Sequence, residues 1–274
     1  MQAELVIRPR HGLAGTGLGD LWRYRELLYF LAWRDILVRY KQTVIGVAWA
    51  VIQPVLTMVV FTIVFGKIGK FPSGDAPYAV MTFAAILPWQ FFANAMSQSS
   101  NSVVGAAAMV QKVYFPRLVI PVSSTLSGVL DFVIALVLLF VLMVGYGVPF
   151  RATLLWLPVF SLCALLAALS VGIWLSALNV RYRDVKYIVP FIVTMGLYAS
   201  PVGFMSSVVP EQWRAWYGLN PMVGVIDGFR WAVLGPQFEP DWRAFAVGMT
   251  VVAALLVSGL LYFRATEKTF ADVI

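Results

Sequence analysis

The chain has 274 residues, of which 61% are hydrophobic and only 12% charged, and its mean hydropathy is +0.83. A soluble globular domain has about 45–50% apolar and about 25% charged residues, so this composition excludes a soluble enzyme and indicates an all-α integral membrane protein. With one cysteine, Cys163, and one histidine, His11, the sequence excludes a disulfide framework and predicts no metal site. We expect the net charge of +7 to reflect cytoplasmic loops and not nucleic-acid binding.

The segment before the first long apolar run is basic and aromatic. Asp20–Gln42 mixes Arg and Lys with Trp and Leu, which predicts a helix lying in the cytoplasmic interface of the membrane. Because the first long apolar run begins only at Val44, we expect no cleaved signal peptide. Residues 1–43 are therefore predicted to form a cytoplasmic N-terminal segment.

Six apolar segments are predicted to be transmembrane helices within a permease domain over residues 44–263, because a bilayer core takes roughly 20 apolar residues of helix. One of the six, the fifth, is shorter but uncharged. Fourteen of the 20 Lys and Arg residues lie in the segments that are cytoplasmic if the N-terminus is inside, so both termini and the tail over residues 264–274 are predicted to be cytoplasmic. The six segments are Val44–Gly66, Tyr78–Met96, Val119–Tyr146, Thr153–Leu178, Ile188–Phe204 and Ala244–Phe263.

The stretch between the fifth and sixth segments predicts a re-entrant helical hairpin. A short amphipathic helix around Trp213 and Trp216 is followed by Met222–Gly235, an apolar run too short to span a bilayer. Asp227 and Arg230 are three residues apart in that run, so they can pair on one helix face. They either contribute to an outer gate or only solubilise an outer-surface hairpin.

The sequence offers little chemistry of its own. It lacks the Gly-x-x-x-x-Gly-Lys-Ser/Thr string of a phosphate-binding loop, so we expect no nucleotide hydrolysis and no enzymatic activity in this chain. Asp131 is the only ionisable residue clearly inside a predicted span. Since a proton-coupled carrier usually has several, Asp131 is interpreted as a structural partner, with a transport role left open. The polar run Asn94–Ser102 can bond either a substrate or a neighbouring helix.

An ordered set of motifs between Tyr24 and Gly235 resembles the ABC-2 type permeases, and most of all the polysaccharide and O-antigen exporters. The motifs are Arg39-Tyr40-Lys41-Gln42-Thr43 with Gly46-Val47-Ala48-Trp49 and Gln53-Pro54, Leu87-Pro88-Trp89, Lys112-Val113-Tyr114-Phe115-Pro116-Arg117, Asn179-Val180-Arg181-Tyr182-Arg183-Asp184 and Leu219-Asn220-Pro221.

The resemblance implies an architecture and a set of partners. It implies an N-terminal interfacial helix, six spans and outer re-entrant helices, in the bacterial cytoplasmic membrane. It also implies a homodimer of permeases with two separate ATP-binding-cassette subunits, which would hold ATP and Mg²⁺. This chain would need no cofactor. The implied substrate is a lipid-linked glycan that passes through a channel at the dimer interface.

Residue roles follow from the same resemblance. Basic residues near the inner interface would attract the carrier diphosphate, although anchoring to lipid headgroups is an open alternative. The implied ATPase-coupling residues are Gln111, Lys112, Tyr114, Phe115, Arg117, Arg181 and Arg183. The implied channel-lining aromatics are Trp49, Phe61, Trp89, Phe92 and Tyr198. The implied outer-gate residues are Trp213, Trp216, Asp227 and Arg230, and the implied headgroup residues are Arg34, Arg39 and Lys41.

Other functions stay open on the sequence alone. Within the same family the substrate is alternatively a teichoic acid, a capsule or a small molecule. An ion-coupled secondary carrier is a second class, which the scarcity of ionisable residues in the spans disfavours. A membrane glycosyltransferase would need acidic residues near a membrane face, and Glu239 and Asp241 suggest no such site.

Overall fold

The computed structural model describes residues 18–41 and 46–273. Every regular element in these two stretches is helical, in agreement with the predicted all-α class. The α-helices α1 to α13 of this described part are Leu18–Arg23, Arg25–Lys41, Gly46–Phe61, Tyr78–Gly105, Ala107–Lys112, Val119–Ser127, Val129–Gly145, Leu157–Arg181, Val185–Ala199, Glu211–Tyr217, Pro221–Leu234, Trp242–Thr266 and Phe270–Val273. A π-helical turn, Thr62–Ile68, extends α3, and a 3₁₀ turn, Ala152–Trp156, leads into α8.

Five helical stretches among the described residues have the length and apolar composition of a membrane span. The apolar helix α9 has only 15 residues. At 1.5 Å per residue α9 is roughly 22 Å long, which is shorter than the ~30 Å core of a bilayer. The membrane crossing of α9, and with it the count of six spans, stays a prediction. The five stretches are Ala48–Ile68, Tyr78–Gly105, Val119–Gly145, Ala152–Arg181 and Trp242–Thr269.

Two helix boundaries differ from the sequence prediction for local reasons. Helix α4 continues past Met96 to Gly105, and hydroxyl and amide side chains in its last turns donate to carbonyls of the preceding turn. Helix α9 ends at Ala199 and not at Phe204. Ser200 takes an extended backbone conformation there, as the residue before a proline prefers. The predicted start of the first span, Val44, lies outside the described residues.

Helix α4 is the centre of the bundle. In the most apolar 18-residue stretch of α4, 89% of the residues are buried. The helix packs against α3, α6, α7, α8, α9 and α11. Its alanine-rich face allows close approach, and Gly172 of α8 lies so near that a β-carbon there would be 2.6 Å from the Ser99 hydroxyl. Helix α12 covers the other side of α8, where the Trp174 indole stacks on Tyr262 and donates to the Ser258 hydroxyl at 3.1 Å.

Helices α4, α8 and α12 run in the same direction and finish at one end of the molecule. The Asn179 amide near the end of α8 donates to the Ser100 carbonyl of α4 at 2.9 Å. Helix α2 packs at this end, since Leu31 shares an apolar cluster with residues from the ends of α4, α8 and α12. Arg264 of α12 pairs with Asp20 of α1 at 3.1 Å. We call this end, where α1, α2 and the last turns of α4, α8 and α12 meet, the α2 end.

Candidate functional site

At the α2 end, helix α5 and the turn after it present an exposed surface. Gln111 and Lys112 are exposed, and the Tyr114 side chain is 82% exposed. The neighbouring Phe115 is buried, and Arg117 donates a hydrogen bond to the Glu267 carbonyl. Phe115 and Arg117 therefore anchor this turn to the body of the protein, whereas Tyr114 points away from it.

The short connection between α8 and α9 also lies at the α2 end. Arg181 and Arg183 are exposed, and the Arg181 guanidinium lies 5.5 Å from the centre of the Tyr182 ring. Of the residues implied to couple to an ATPase, the five accessible ones are thus at the same end of the molecule, while Phe115 and Arg117 are held inward. The five are Gln111, Lys112, Tyr114, Arg181 and Arg183.

The aromatic residues implied to line a channel fall into two groups. Trp49 and Tyr198 are each 58% exposed, whereas Phe61, Trp89 and Phe92 are buried inside the protomer. Burial follows from packing: the Trp89 ring closes on α9 so tightly that a β-carbon on Gly196 would be 2.6 Å from it. The Phe61 ring stacks under the Tyr198 ring with centroids 6.4 Å apart.

The surface of the protomer as it stands therefore carries Trp49 and Tyr198 but not the other three aromatics. Phe61, Trp89 and Phe92 lie in the core of the protomer and support the helices that bear the exposed pair, and their implied place along a channel stays a prediction. Sequence reasoning missed their burial because hydropathy alone does not distinguish a ring that faces a neighbouring helix from one that faces outward.

The opposite end of the molecule is organised by a buried arginine. The Arg230 side chain of α11 donates to the carbonyls of Met81, Val202 and Phe204 at 3.3, 2.9 and 2.8 Å. Asp227, one turn earlier, lies 3.9 Å from the guanidinium. These bonds join α11 to α4 and to the turn after α9. The Val202 and Phe204 carbonyls are available to Arg230 because α9 ends at Ala199, before Pro201. The pairing of Asp227 and Arg230 was predicted; the three carbonyl contacts were not.

Helix α10 is exposed at this end, whereas the start of α11 is buried. Trp213 and Trp216 are 57% and 69% exposed. Asn220 caps α11 by accepting a hydrogen bond from the Met222 amide at 3.0 Å, an arrangement that favours helix initiation before Pro221. Burial raises the pKa of the Tyr217 phenol. The implied gate residues thus divide into two exposed tryptophans and one buried ion pair.

The basic residues implied to attract a carrier headgroup have different environments. Arg34 pairs with the adjacent Asp35 at 2.8 Å. Arg39 turns inward to pair with Asp131 of α7 and donates to the Gln98 side chain of α4. Lys41 is exposed. Of these three residues, Arg34 and Lys41 are thus directed outward from α2 and Arg39 is not.

Asp131 is the meeting point of two helices. It accepts hydrogen bonds from Arg39 and from the Tyr40 hydroxyl. Asp131 is therefore a structural partner of α2 in the described protomer, which is the interpretation favoured from its sequence position. Within residues 18–41 and 46–273, no three His, Cys, Asp or Glu side chains converge as metal ligands.

Beside this ion pair lies a cavity of about 410 Å³ between α2, α3, α4 and α7. Its polar lining includes four amide side chains, and Trp49, Phe91 and Phe132 are among its apolar walls. We call it the amide pocket. Sequence reasoning singled out Asn94 and Gln98 but missed Gln53 and Gln90, although Gln90, Asn94 and Gln98 follow each other at the four-residue spacing of one helix face. The four amides are Gln53, Gln90, Asn94 and Gln98.

The polar run that follows Asn94 serves helix packing at the α2 end. Ser99 and Ser100 are buried, and the Asn179 amide reaches both the Ser100 carbonyl and the Asn101 side chain at 2.9 and 3.2 Å. These contacts favour the helix–helix interpretation for this part of the run.

Comparison with known proteins identifies the family. The sequence profile of the ABC-2 type transporter family matches residues 26–234. The chain is 28% identical to the O-antigen export system permease protein RfbA of Myxococcus xanthus, over 93% of this chain and 98% of the relative. It is 25% identical to a protein of the same name from Klebsiella pneumoniae, over 91% and 95%. It is 24% identical to the polysialic acid transport protein KpsM of Escherichia coli, over 86% and 91%. The resemblance inferred from the motifs is thereby confirmed, and the chain belongs to the ABC-2 type transporter family.

Proposed function

We propose that this chain is the membrane-spanning permease subunit of an ATP-driven exporter that moves a lipid-linked, O-antigen-like polysaccharide across the bacterial cytoplasmic membrane. The observation that carries the proposal is similarity along nearly the whole chain to a permease named for O-antigen export. A relative named for polysialic acid transport supports a polysaccharide substrate more broadly. Teichoic acid, capsule or small-molecule export are the alternatives within the family.

The energy source in this proposal is a pair of separate ATPase subunits. The exposed residues around Tyr114 and Arg183 form a contact surface at the α2 end, which we assign to the cytoplasmic side. Because Phe115 packs in the apolar cluster that includes Leu31 and Phe263, a push on the α5 turn is transmitted to α2 and α12. The partner subunits would bind ATP and Mg²⁺, and closing them on ATP would move these helices.

The transport path in this proposal lies between two copies of the permease. In the most apolar 18-residue stretch of α3 and its π-helical turn, only 17% of the residues are buried. Most of the surface of this helix therefore faces lipid or a second copy. Helix α9 exposes Tyr198, and Trp49 is exposed on α3. The C–H faces of sugar rings stack on aromatic rings, so these two side chains suit a passing glycan. The short α9 is assigned here as the fifth of six spans.

The two surfaces of the membrane have distinct roles in this proposal. Helices α1 and α2 expose Trp22, Phe30 and Trp33 beside basic residues, which supports a position in the cytoplasmic interface. Arg34 and Lys41, directed outward, are assigned to attraction of the carrier diphosphate. The α10–α11 hairpin, locked by Arg230, is assigned as a re-entrant outer gate.

The test is affinity purification of the tagged protein from native membranes in a mild detergent, followed by mass spectrometry of proteins and lipids. We expect an ATPase with a phosphate-binding loop in near-equal amount, two permease copies, and a bound polyprenyl-linked glycan. Purification without an ATPase, under conditions that keep another exporter of the same membrane intact, would refute the proposal. Transport that stops with a protonophore at constant ATP would instead favour an ion-coupled carrier.

A further inference from the structure

The amide pocket combines features that the proposed channel does not account for. Gln90, Asn94 and Gln98 lie one turn apart on α4, so their amides follow each other at roughly 6 Å along one wall. Gln53 faces them from α3. An amide group offers both donors and acceptors, which matches the alternating donor and acceptor character of sugar hydroxyl groups.

Two of these amides have unfilled hydrogen-bonding capacity. Gln53 and Asn94 are exposed within the protomer, and neither side chain makes a hydrogen bond to another of the described residues. Both belong to helical stretches with the composition of membrane spans. Their donors and acceptors are therefore available to a polar ligand.

The charges of the pocket favour an uncharged ligand. Among the described residues, the charged side chains that line it are Arg39 and Asp131, which neutralise each other in an ion pair. The Tyr40 hydroxyl donates to the same carboxylate. A diphosphate would need an excess of positive charge, which this lining lacks, whereas a neutral sugar needs hydrogen bonds and apolar contact.

The remaining walls supply that apolar contact. Trp49, Phe91 and Phe132 line the pocket next to the amides. Its volume of about 410 Å³ falls within the roughly 300–1,000 Å³ of small-molecule sites, which are mostly apolar with a few placed polar groups. Because Trp49 is also exposed on the proposed channel face, the pocket opens beside the path of the glycan.

We infer that the amide pocket is a binding site for a neutral sugar unit, held by Gln53 and Asn94 and stacked on Trp49. The inference rests on the proposed function for the identity of its natural ligand, a sugar of the exported glycan. The site belongs to one protomer and lies to the side of the channel between two copies. It would hold the glycan by a sugar residue and not by its diphosphate.

Saturation-transfer NMR on the full chain in lipid nanodiscs tests the inference. The probes are the methyl glycosides of glucose, mannose, galactose and rhamnose, with inorganic pyrophosphate as the charged comparison. We expect saturation of at least one glycoside by the wild-type protein and at least a threefold loss in the Gln53→Leu, Asn94→Leu double variant. Gln212→Leu, an exposed amide on α10 outside the pocket, is the matched control and should retain the signal. No glycoside signal, an undiminished signal in the double variant, or displacement of the glycoside by pyrophosphate overturns the inference.

A labelling experiment keeps the test independent of the leucine variants. In a Cys163→Ser background that keeps Gln53 and Asn94, the binding glycoside should slow maleimide labelling of the pocket-lining variant Ala50→Cys at least threefold and leave Gln212→Cys unaffected. Equal labelling of Ala50→Cys with and without sugar overturns the inference. Sugar binding without a co-purifying ATPase would refute the proposed exporter function and support the sugar site. A co-purifying ATPase without sugar binding would support the exporter function and refute the sugar site.

Discussion

Arg39 and Asp131 are 92 residues apart in the chain and form an ion pair that joins α2 to α7. The Arg39 guanidinium also donates to Gln98, so the last turn of α2 is tied to two membrane helices. Their side chains are 30% and 25% exposed, intermediate between a surface pair and a fully buried one. An arginine that the motif resemblance assigns to headgroup attraction is therefore first of all a structural contact.

Breaking this pair should destabilise the protein. Arg39→Gln and Asp131→Asn should each lower the free energy of unfolding by about 1–3 kcal/mol, between the values for exposed and buried ion pairs. The double variant should lose clearly less than the two single losses together, since the second change removes a group that has already lost its partner. The measurement is unfolding by SDS titration. Strictly additive losses would show that the two residues are not coupled, and Lys41→Ala should leave stability unchanged.

Close packing at a glycine should be sensitive to one methyl group. A β-carbon on Gly228 would lie 2.2 Å from the Phe160 ring, so Gly228→Ala should destabilise the protein by about 1–3 kcal/mol through overpacking. Gly145, at the end of α7, has open space around it. Gly145→Ala should therefore leave the melting temperature in nanodiscs unchanged or slightly raised. Equal effects of the two substitutions would contradict the observed packing of α11 on α8.

The buried arginine of α11 should matter more for stability than an exposed one. Arg230→Met leaves three carbonyls without their donor and Asp227 without its counter-charge, so we expect a loss of about 3–5 kcal/mol. The matched control is Arg214→Met on α10, whose side chain is 40% exposed in its contact with Glu211 and should cost less than about 1 kcal/mol. Thermal unfolding in nanodiscs checks both. A small effect at Arg230 would mean that the turn after α9 is held in another way.

Two adjacent aromatic residues at the α2 end should have different roles, Tyr114 in binding the ATPase and Phe115 in stabilising the fold. Tyr114→Ala should reduce association with the ATPase at least roughly tenfold, as expected for an exposed aromatic at the centre of an interface, without changing the melting temperature. Phe115→Ala should instead lower the melting temperature, because it removes a core side chain. Co-purification and thermal unfolding give the two readouts. Normal ATPase binding by a folded Tyr114→Ala variant would remove this residue from the contact surface.

Exposed aromatics on the proposed channel face should affect transport and not folding. Trp49→Ala should slow glycan export roughly two- to tenfold, the range that corresponds to an aromatic contact of about 0.5–1.5 kcal/mol. Val137→Ala, on the exposed face of α7, is the control. Export by the purified permease–ATPase complex in proteoliposomes measures both. Unchanged export by Trp49→Ala would argue against a glycan path along this face.

Hydropathy predicted the positions of the five long apolar helices well, because long apolar runs require a lipid environment or a buried core. It did not predict which side of each helix faces inward. The burial of Trp89 and the exposure of Tyr198 depend on how α4 and α9 approach each other across Gly196, and no local pattern contains that contact.

Polar contacts between helices that are distant in the sequence could not be predicted from the sequence either. The spacing of Asp227 and Arg230 predicted their pairing, since both lie on one helix. The partners of Asp131 lie on α2. Of the carbonyls bound by Arg230, that of Met81 lies on α4, and those of Val202 and Phe204 lie in the turn after α9. Such contacts depend on the packing of several helices and not on a local signal.

The ion pair between Asp20 and Arg264 also constrains the order in which the protein is assembled. These residues are 244 positions apart, and a chain is synthesised from its N-terminus. Helix α1 therefore leaves the ribosome long before its partner on α12 exists. The α2 end therefore stays incomplete while the earlier spans are inserted. The ion pair between Asp20 and Arg264 can form only after the last span has been synthesised.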